Sequence, residues 1–100
     1  MLDLNHPDTP FIFQASAHLD KLRLYWKHRT TMREEALEQS LRTEIEALET
    51  LARHKFPKKQ IPVTEKLAII RRLFDEEEAT DKEFYEVISQ LEFDLGTWAI

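Results

Sequence analysis

The sequence predicts an all-α fold of about four helices, built as helical hairpins around one long central helix. The chain of 100 residues has one Gly and four Pro, too few for the many tight turns of a β-sandwich or barrel. Residues 31–56 contain neither and repeat apolar side chains at helical spacing. A chain of this length forms a single domain, 1–100, or a subunit that completes its core by self-association.

The first element is a helix over residues 10–29, preceded by a flexible arm over residues 1–9. Asp8 and Pro10 predict the start of the helix, because Asp caps helix N-termini and Pro fits the first turn. One face of this helix carries Ile12, Ala15, Leu19, Leu22 and Trp26. That face is widened by Phe11, Phe13, Leu24 and Tyr25. Such a broad apolar surface is buried on several sides, either within the chain or against a second subunit.

The central helix is predicted from Met32 to Lys55. Its apolar face consists of Leu37, Leu41, Ile45, Leu48 and Ala52. Thr31 and Glu34 have the T-x-x-E spacing of a capping box. Residues 10–56 therefore form an N-terminal hairpin or one bent long helix. We favour a turn near residues 28–31, because a continuous helix would place polar Thr30 on the apolar face.

The C-terminal half, 62–95, is predicted to form a second helical hairpin. Pro57 ends the central helix, and a third helix runs from Pro62 to about Glu77. Its inner face carries Val63, Leu67, Ile70, Leu73 and Phe74.

A second T-x-x-E sequence, formed by Thr80 and Glu83, starts the fourth helix, Asp81 to Leu95. The inner face of this helix carries Phe84, Val87, Ile88, Leu91 and Leu95. Gly96 is placed for a left-handed C-terminal cap. In the tail, 96–100, Trp98 and Ile100 either fold back onto the bundle or present an apolar surface to a partner.

The net charge of −5 is unevenly distributed along the chain. Residues 1–60 carry ten basic and nine acidic side chains, whereas residues 61–100 carry four and ten. Two interpretations remain open: a solvated surface whose halves attract weakly, or two faces of opposite charge that serve two partners or antiparallel self-association.

The sequence contains no pattern typical of catalysis, cofactor binding or metal binding. There is no Cys, the four His are not spaced as helical ligand pairs, and no phosphate loop or nucleophile motif occurs. An acidic stretch starting at Asp75 departs from a calcium loop, because Thr80 replaces the glycine of the sharp turn. We therefore predict no enzymatic activity, no cofactor and no metal site. Without a membrane span or a signal peptide, we expect a cytoplasmic protein.

The remaining hypothesis is a non-enzymatic protein-interaction module: an adaptor, assembly factor, chaperone or inhibitor that binds through helix faces. We expect a partner protein with an acidic patch, and a homo-oligomer, with a dimer favoured. The predicted partner-binding residues are Tyr25, Trp26, Arg29, Arg33, Lys58, Lys59 and Trp98. Aromatic and arginine side chains dominate protein interfaces, although Trp26 fits a core position at least equally well.

The alternative hypothesis is a nucleic-acid-binding regulator that uses two basic clusters, residues 21–33 and 53–59. Lysine and arginine pair with phosphates, and interleaved aromatic rings stack on bases. The acidic net charge and the lack of a recognisable binding motif argue against this hypothesis.

Overall fold

The computed structural model describes residues 3–99, which contain four α-helices and no strand. The helices are α1 (Thr9–His28), α2 (Glu34–Lys55), α3 (Gln60–Asp75) and α4 (Asp81–Leu95). Two 3₁₀ turns, Pro57–Lys59 and Thr97–Ala99, follow α2 and α4. The all-α prediction with four helices is confirmed. The turn between the first two helices is confirmed as well, since residues 29–33 are not helical.

The helices pack as a ring in which each contacts the next and α4 closes against α1. The described part of the chain is 41 Å long, and the 22 residues of α2 span about 33 Å of that length. Successive helices are antiparallel. The starts of α1 and α3 therefore lie at the same end of the bundle as the ends of α2 and α4.

The core consists of the predicted inner faces of all four helices. Trp26 lies at its centre with 1% of its surface exposed. Its ring stacks on Phe84 at a centroid distance of 4.5 Å, and meets the edge of Phe74 at 5.1 Å. Only the margins of the predicted faces are partly exposed: Ile12, Leu37, Phe74 and Val87.

The two T-x-x-E sequences behave differently. At α4 the Thr80 hydroxyl accepts a hydrogen bond from the Glu83 backbone N–H at 3.2 Å, as predicted. The predicted cap at Thr31 is wrong, because its hydroxyl donates to the His28 carbonyl at 3.0 Å and completes the end of α1. Helix α2 consequently begins at Glu34, after Arg33, which makes no side-chain cap.

The other predicted helix ends differ by small shifts. Asp8 precedes α1, but its side chain makes no capping hydrogen bond. Helix α3 begins two residues before Pro62, which lies in its first turn, and ends at Asp75. Gly96 adopts the left-handed conformation with φ of 75°, which confirms the predicted cap of α4.

The N-terminal segment folds onto the start of α1 through local hydrogen bonds. The His6 N–H donates to the Asp3 carbonyl at 3.1 Å, and the buried Thr9 hydroxyl also donates to this carbonyl. Of the predicted flexible arm, residues 1–2 lie outside the described residues. The prediction for Ile100 lies outside them too.

Ion pairs or charge-assisted hydrogen bonds join all four neighbouring helix pairs. Glu44 of α2 contacts α1 through His18 at 3.2 Å and Lys21 at 3.5 Å. The other three helix pairs are joined by Arg23–Glu92 between α1 and α4, Arg71–Glu38 between α3 and α2, and Lys66–Asp94 between α3 and α4. Within residues 3–99, no buried side-chain nitrogen or oxygen lacks a hydrogen-bond partner. These polar contacts fix the register of helices whose apolar faces alone would tolerate sliding.

Candidate interaction surface

Five large apolar side chains on the α1–α4 side of the bundle are exposed. They are Phe13 and Leu24 of α1, Tyr85 and Phe93 of α4, and Trp98 of the C-terminal turn. Phe13 and Leu24 are eleven residues apart, about three helical turns, and so share one face of α1. Tyr85 and Phe93 are two i, i+4 steps apart and lie along one stripe of α4.

The α1 stripe borders the contact between α1 and α4, whereas Phe93 on α4 lies beside Lys59, which precedes α3. Ile12 faces the end of α4, where a Cβ added at Gly96 would lie 3.5 Å from Ile12 Cδ1. Farther along the helices, Arg23 reaches Glu92. Phe13 directly follows Ile12, and Leu24 directly follows Arg23. Both therefore lie on the solvent-exposed side of the contact between α1 and α4. We call the surface formed by Phe13, Leu24, Tyr85, Phe93 and Trp98 the apolar face.

Trp98 is held outward by the turn that carries it. Gly96 reverses the chain after α4, and the buried Thr97 donates its hydroxyl hydrogen to the Glu92 carbonyl at 3.4 Å. The turn packs against both α1 and α4. Since Thr97 takes the inward position, the indole of Trp98 remains 62% exposed.

One end of the apolar face adjoins positive charge, at residues 53–59, which we call the basic end. The Lys59 ammonium lies 5.9 Å from the Phe93 ring centroid and 3.9 Å from Asp94. Lys58 is exposed, and no carboxylate among the described residues lies within 4.0 Å of it. The cation beside Phe93, which is 68% exposed, is therefore Lys59, and Lys59 also lies close to Asp94.

The opposite end adjoins negative charge, at residues 75–81, which we call the acidic end. Glu77 and Glu78 lie exposed in the turn between α3 and α4. In the part of the chain that the structure describes, neither has a cation within 4.0 Å. Asp81 lies one helical turn before Tyr85 and accepts the Trp26 Nε1–H hydrogen bond at 2.8 Å. The same end of the bundle also carries the exposed cations Lys27, Arg33 and Lys82, so the charge around Leu24 and Tyr85 is mixed.

The structure divides the predicted partner-binding residues between the two ends. Lys58, Lys59 and Trp98 lie together at the basic end, and Lys58 and Trp98 are exposed there. The other four, Tyr25, Trp26, Arg29 and Arg33, lie at the far end of α1 and in the following turn. The sequence predicted all seven as partner-binding residues, but the fold separates the two groups by the length of α1.

In this second group, Trp26 is buried and so takes the core position that the sequence also allowed. The Arg29 guanidinium stacks over the Trp26 ring at 3.7 Å and donates to the Trp26 carbonyl at 2.6 Å. Tyr25 is half-buried against the core, and Arg33 is exposed at the start of α2. Arg33 is the most accessible of these four side chains.

Three of the five Lys and Arg side chains in the basic cluster of residues 21–33 have partners within the protein, whereas Lys27 and Arg33 are exposed. Lys21 pairs with Glu44, Arg23 pairs with Asp20 at 2.6 Å as well as with Glu92, and Arg29 lies 4.0 Å from Asp81. A phosphate backbone would have to compete with these contacts.

Sequence reasoning missed Phe13, Leu24, Tyr85 and Phe93 as surface residues. The first two were assigned to an unusually broad apolar helix, and their three-turn spacing was the signal that could have separated them from the core stripe. Tyr85 and Phe93 lie off the inner stripe of α4, which the same periodicity shows. Glu44, which is 3% exposed, lies three residues after Leu41 and four before Leu48, so the helical spacing already places it at the apolar face. Its partners come from α1 and have no signal in the sequence.

Two further properties bear on function. Among residues 3–99, no group of three or more His, Asp or Glu side chains is placed to hold a metal ion. In the same range, none of the helices combines the length and the apolar character needed to cross a membrane.

Comparison of the chain with protein-family models, with curated proteins and with solved structures yields no match.

Proposed function

We propose that this chain is a non-enzymatic helical module that binds a partner protein through the apolar face. The observation that supports the proposal most directly is the exposure of five large apolar side chains on α1, α4 and the C-terminal turn. An aromatic side chain has a surface of roughly 150–250 Å². Five side chains of about this size, each about half exposed, together present on the order of 500 Å² of apolar surface.

The charges at the ends of the apolar face favour a partner with an acidic patch. Lys59 lies beside Phe93, and exposed Lys58 precedes it in the chain, so a partner that covers the Phe93 ring also meets positive charge. An acidic group there would steer association and fix its orientation. Adaptor, assembly factor, chaperone and inhibitor are all roles for such a surface. We place the module in the cytoplasm. A chain without cysteine contains no disulfide that the reducing conditions there could break.

A photo-crosslinking experiment tests the proposal. A photoreactive phenylalanine analogue replaces Trp98 in the full chain, and a control variant carries it at Gln39, which is exposed on α2, the helix diagonal to α4. After irradiation in lysate from source cells, we expect with the first variant a covalent protein adduct that the second does not form.

Two results would contradict the proposal. The first is the same set of adducts at both positions, which would indicate random collisions with exposed residues. The second is an adduct at position 98 that disappears after nuclease treatment, because that result would favour the nucleic-acid hypothesis. Circular dichroism of both variants establishes that they retain the helical fold.

A further inference from the structure

We infer that a groove between the first half of α2 and the end of α3 binds a basic segment of another protein, with one large apolar side chain flanked by lysine or arginine. The groove has a volume of about 850 Å³. The inference goes beyond the proposed function, because the apolar face is formed by α1, α4 and the C-terminal turn. The groove lies on the other two helices and takes a partner of opposite charge.

The floor of the groove is apolar and is held in place by the core. Leu41 is buried, and Leu37 and Phe74 are partly buried against the core. The Phe74 ring makes edge contacts with Trp26 and Phe84 at centroid distances of 5.1 and 5.8 Å. Because two buried rings fix Phe74 from the inside, the floor is formed before a ligand binds. A preformed floor lowers the entropy that binding costs.

Carboxylates dominate the walls of the groove. The five acidic side chains that line it are Glu34, Glu35, Glu38, Glu46 and Asp75. Two cations oppose them, and both contact Glu38: Arg42 also lines the groove and lies 3.6 Å from this carboxylate, and Arg71 of α3 donates to it. Within residues 3–99, the other four carboxylates have no cation within 4.0 Å. The walls therefore carry an excess of negative charge.

Three of the four unpaired carboxylates lie at one end of the groove. The contact between Glu38 and Arg71 sets the register of the antiparallel helices α2 and α3. Glu34 lies four residues before Glu38 and Asp75 four residues after Arg71, so these two acids face each other with Glu35 beside them. Glu34 and Glu35 complement the positive start of α2, but Asp75 ends α3, where the helix dipole is already negative. A ligand cation offsets both charges at this point.

The spread of the carboxylates determines which ligand fits. Among residues 3–99, no three acidic or histidine side chains converge to hold a metal ion. Glu34 and Glu46 are twelve residues apart, about 18 Å along α2, which is the length of about five extended residues. A peptide of this length places cations near both ends and an apolar side chain on the floor between them. The same carboxylates repel a phosphate backbone.

Fluorescence anisotropy with a labelled synthetic peptide tests the inference. The peptide contains one leucine between two pairs of lysines. We expect saturable binding to the full chain, which weakens as salt is added. Replacing the leucine by serine is expected to weaken binding about fivefold or more, because the floor then stays uncovered. Replacing the lysines by glutamates is expected to abolish binding.

Charge reversals in the chain test where the peptide binds. Glu35→Lys/Asp75→Lys is expected to raise the dissociation constant about tenfold or more at low salt, because two attractive charges become repulsive. The matched control, Glu65→Lys/Glu86→Lys, changes the net charge equally at exposed positions outside the groove. We expect the control to change the constant by less than about twofold. Circular dichroism establishes that both variants are folded.

Photo-crosslinking separates this inference from the proposed function. Gln39 lines the groove, so the photoreactive analogue at this position is expected to form an adduct with the purified peptide. The analogue at Trp98 is not. In lysate, any protein bound in the groove then differs from the one crosslinked at Trp98, and the loss of either adduct leaves the other proposal standing.

Three results would overturn the inference. They are the absence of saturable binding at millimolar peptide, equal losses of affinity in the two double variants, and equal affinities for the leucine and serine peptides.

Discussion

Trp26 shows how a residue type that is common at interfaces becomes a core residue. Its indole contacts rings from two other helices, and its single N–H reaches Asp81 at the rim of the core. Arg29 covers the remaining ring surface. Because every part of the side chain has a partner within the chain, Trp26 joins α1 to both α3 and α4.

The first prediction concerns the two tryptophans. Trp26→Ala is expected to lower the free energy of unfolding by about 3–5 kcal/mol, since it opens a large cavity where three helices meet. Trp26→Phe is expected to cost about 1–2 kcal/mol, through the lost hydrogen bond and a smaller ring. Urea unfolding followed by circular dichroism measures both. Trp98→Ala is the control, with an expected change within about 0.5 kcal/mol for an exposed side chain. A cost at Trp98 equal to that at Trp26 would contradict the assignment of the core.

The second prediction concerns Glu44, the most deeply buried acidic side chain in the described part of the chain. Its partners His18 and Lys21 are more exposed than the carboxylate, so they regain water when it is removed. We expect Glu44→Ala to destabilise the protein by roughly 2 kcal/mol, mainly through the cavity that it leaves. Glu44→Met fills the volume without a charge and is expected to remain within about 1 kcal/mol of the unmodified chain.

Thermal and urea unfolding of the two Glu44 variants measure this difference. An equal loss of stability in both variants would show that the charged contact, rather than the occupied volume, stabilises the junction of α1 and α2.

At the scale of the helices, capping shows that one local sequence can have two outcomes. Thr80 and Thr31 both stand three residues before a Glu, yet only Thr80 caps the following helix. The three residues before Thr80 lie outside any helix. Thr31, in contrast, lies three residues after the end of α1, and its hydroxyl donates to the His28 carbonyl at that end.

The third prediction uses this pair of threonines as a matched comparison. Thr80→Ala is expected to lower the free energy of unfolding by about 1 kcal/mol, because the Glu83 N–H loses its acceptor at the start of α4. Thr31→Ala is expected to cost less than about 0.5 kcal/mol, since an exposed hydroxyl at a helix end is readily replaced by water. Chemical denaturation of both variants at one pH gives the comparison, and the reverse order of effects would contradict it.

The sequence predicted the four helices and most of their inner faces, because periodicity and the proline and glycine breaks are local properties. Leu19, Leu48, Leu67 and Leu91, one in each helix, are all buried where the periodicity placed them. The candidate site was predicted only in part. Trp98 and Lys58 are exposed as an interface requires, but the exposure of Phe13 depends on how α4 packs beside α1. The spacing of Phe13 and Leu24 separates them from the core stripe, but whether a neighbouring helix covers them is a tertiary property.

For the whole molecule, the closed ring of helices is the property that sets stability. Each helix contacts two neighbours, and every neighbouring pair combines apolar contact with at least one ion pair or charge-assisted hydrogen bond. Removing any helix would expose the faces of two others. Such mutual dependence favours cooperative unfolding without separately stable hairpins.

The fourth prediction tests this cooperativity with Trp98→Phe, which leaves Trp26 as the only tryptophan. Fluorescence of Trp26 then reports the packing of α1, α3 and α4, whereas far-ultraviolet circular dichroism reports helix content throughout the chain. We expect the two urea transitions to coincide in midpoint and slope, because loss of the tertiary contacts removes the support of every helix. The measurement is made at micromolar concentration and repeated at tenfold dilution, so that self-association does not shift the midpoint. A fluorescence transition that precedes the loss of helix content would show instead that the hairpins persist after the ring has opened.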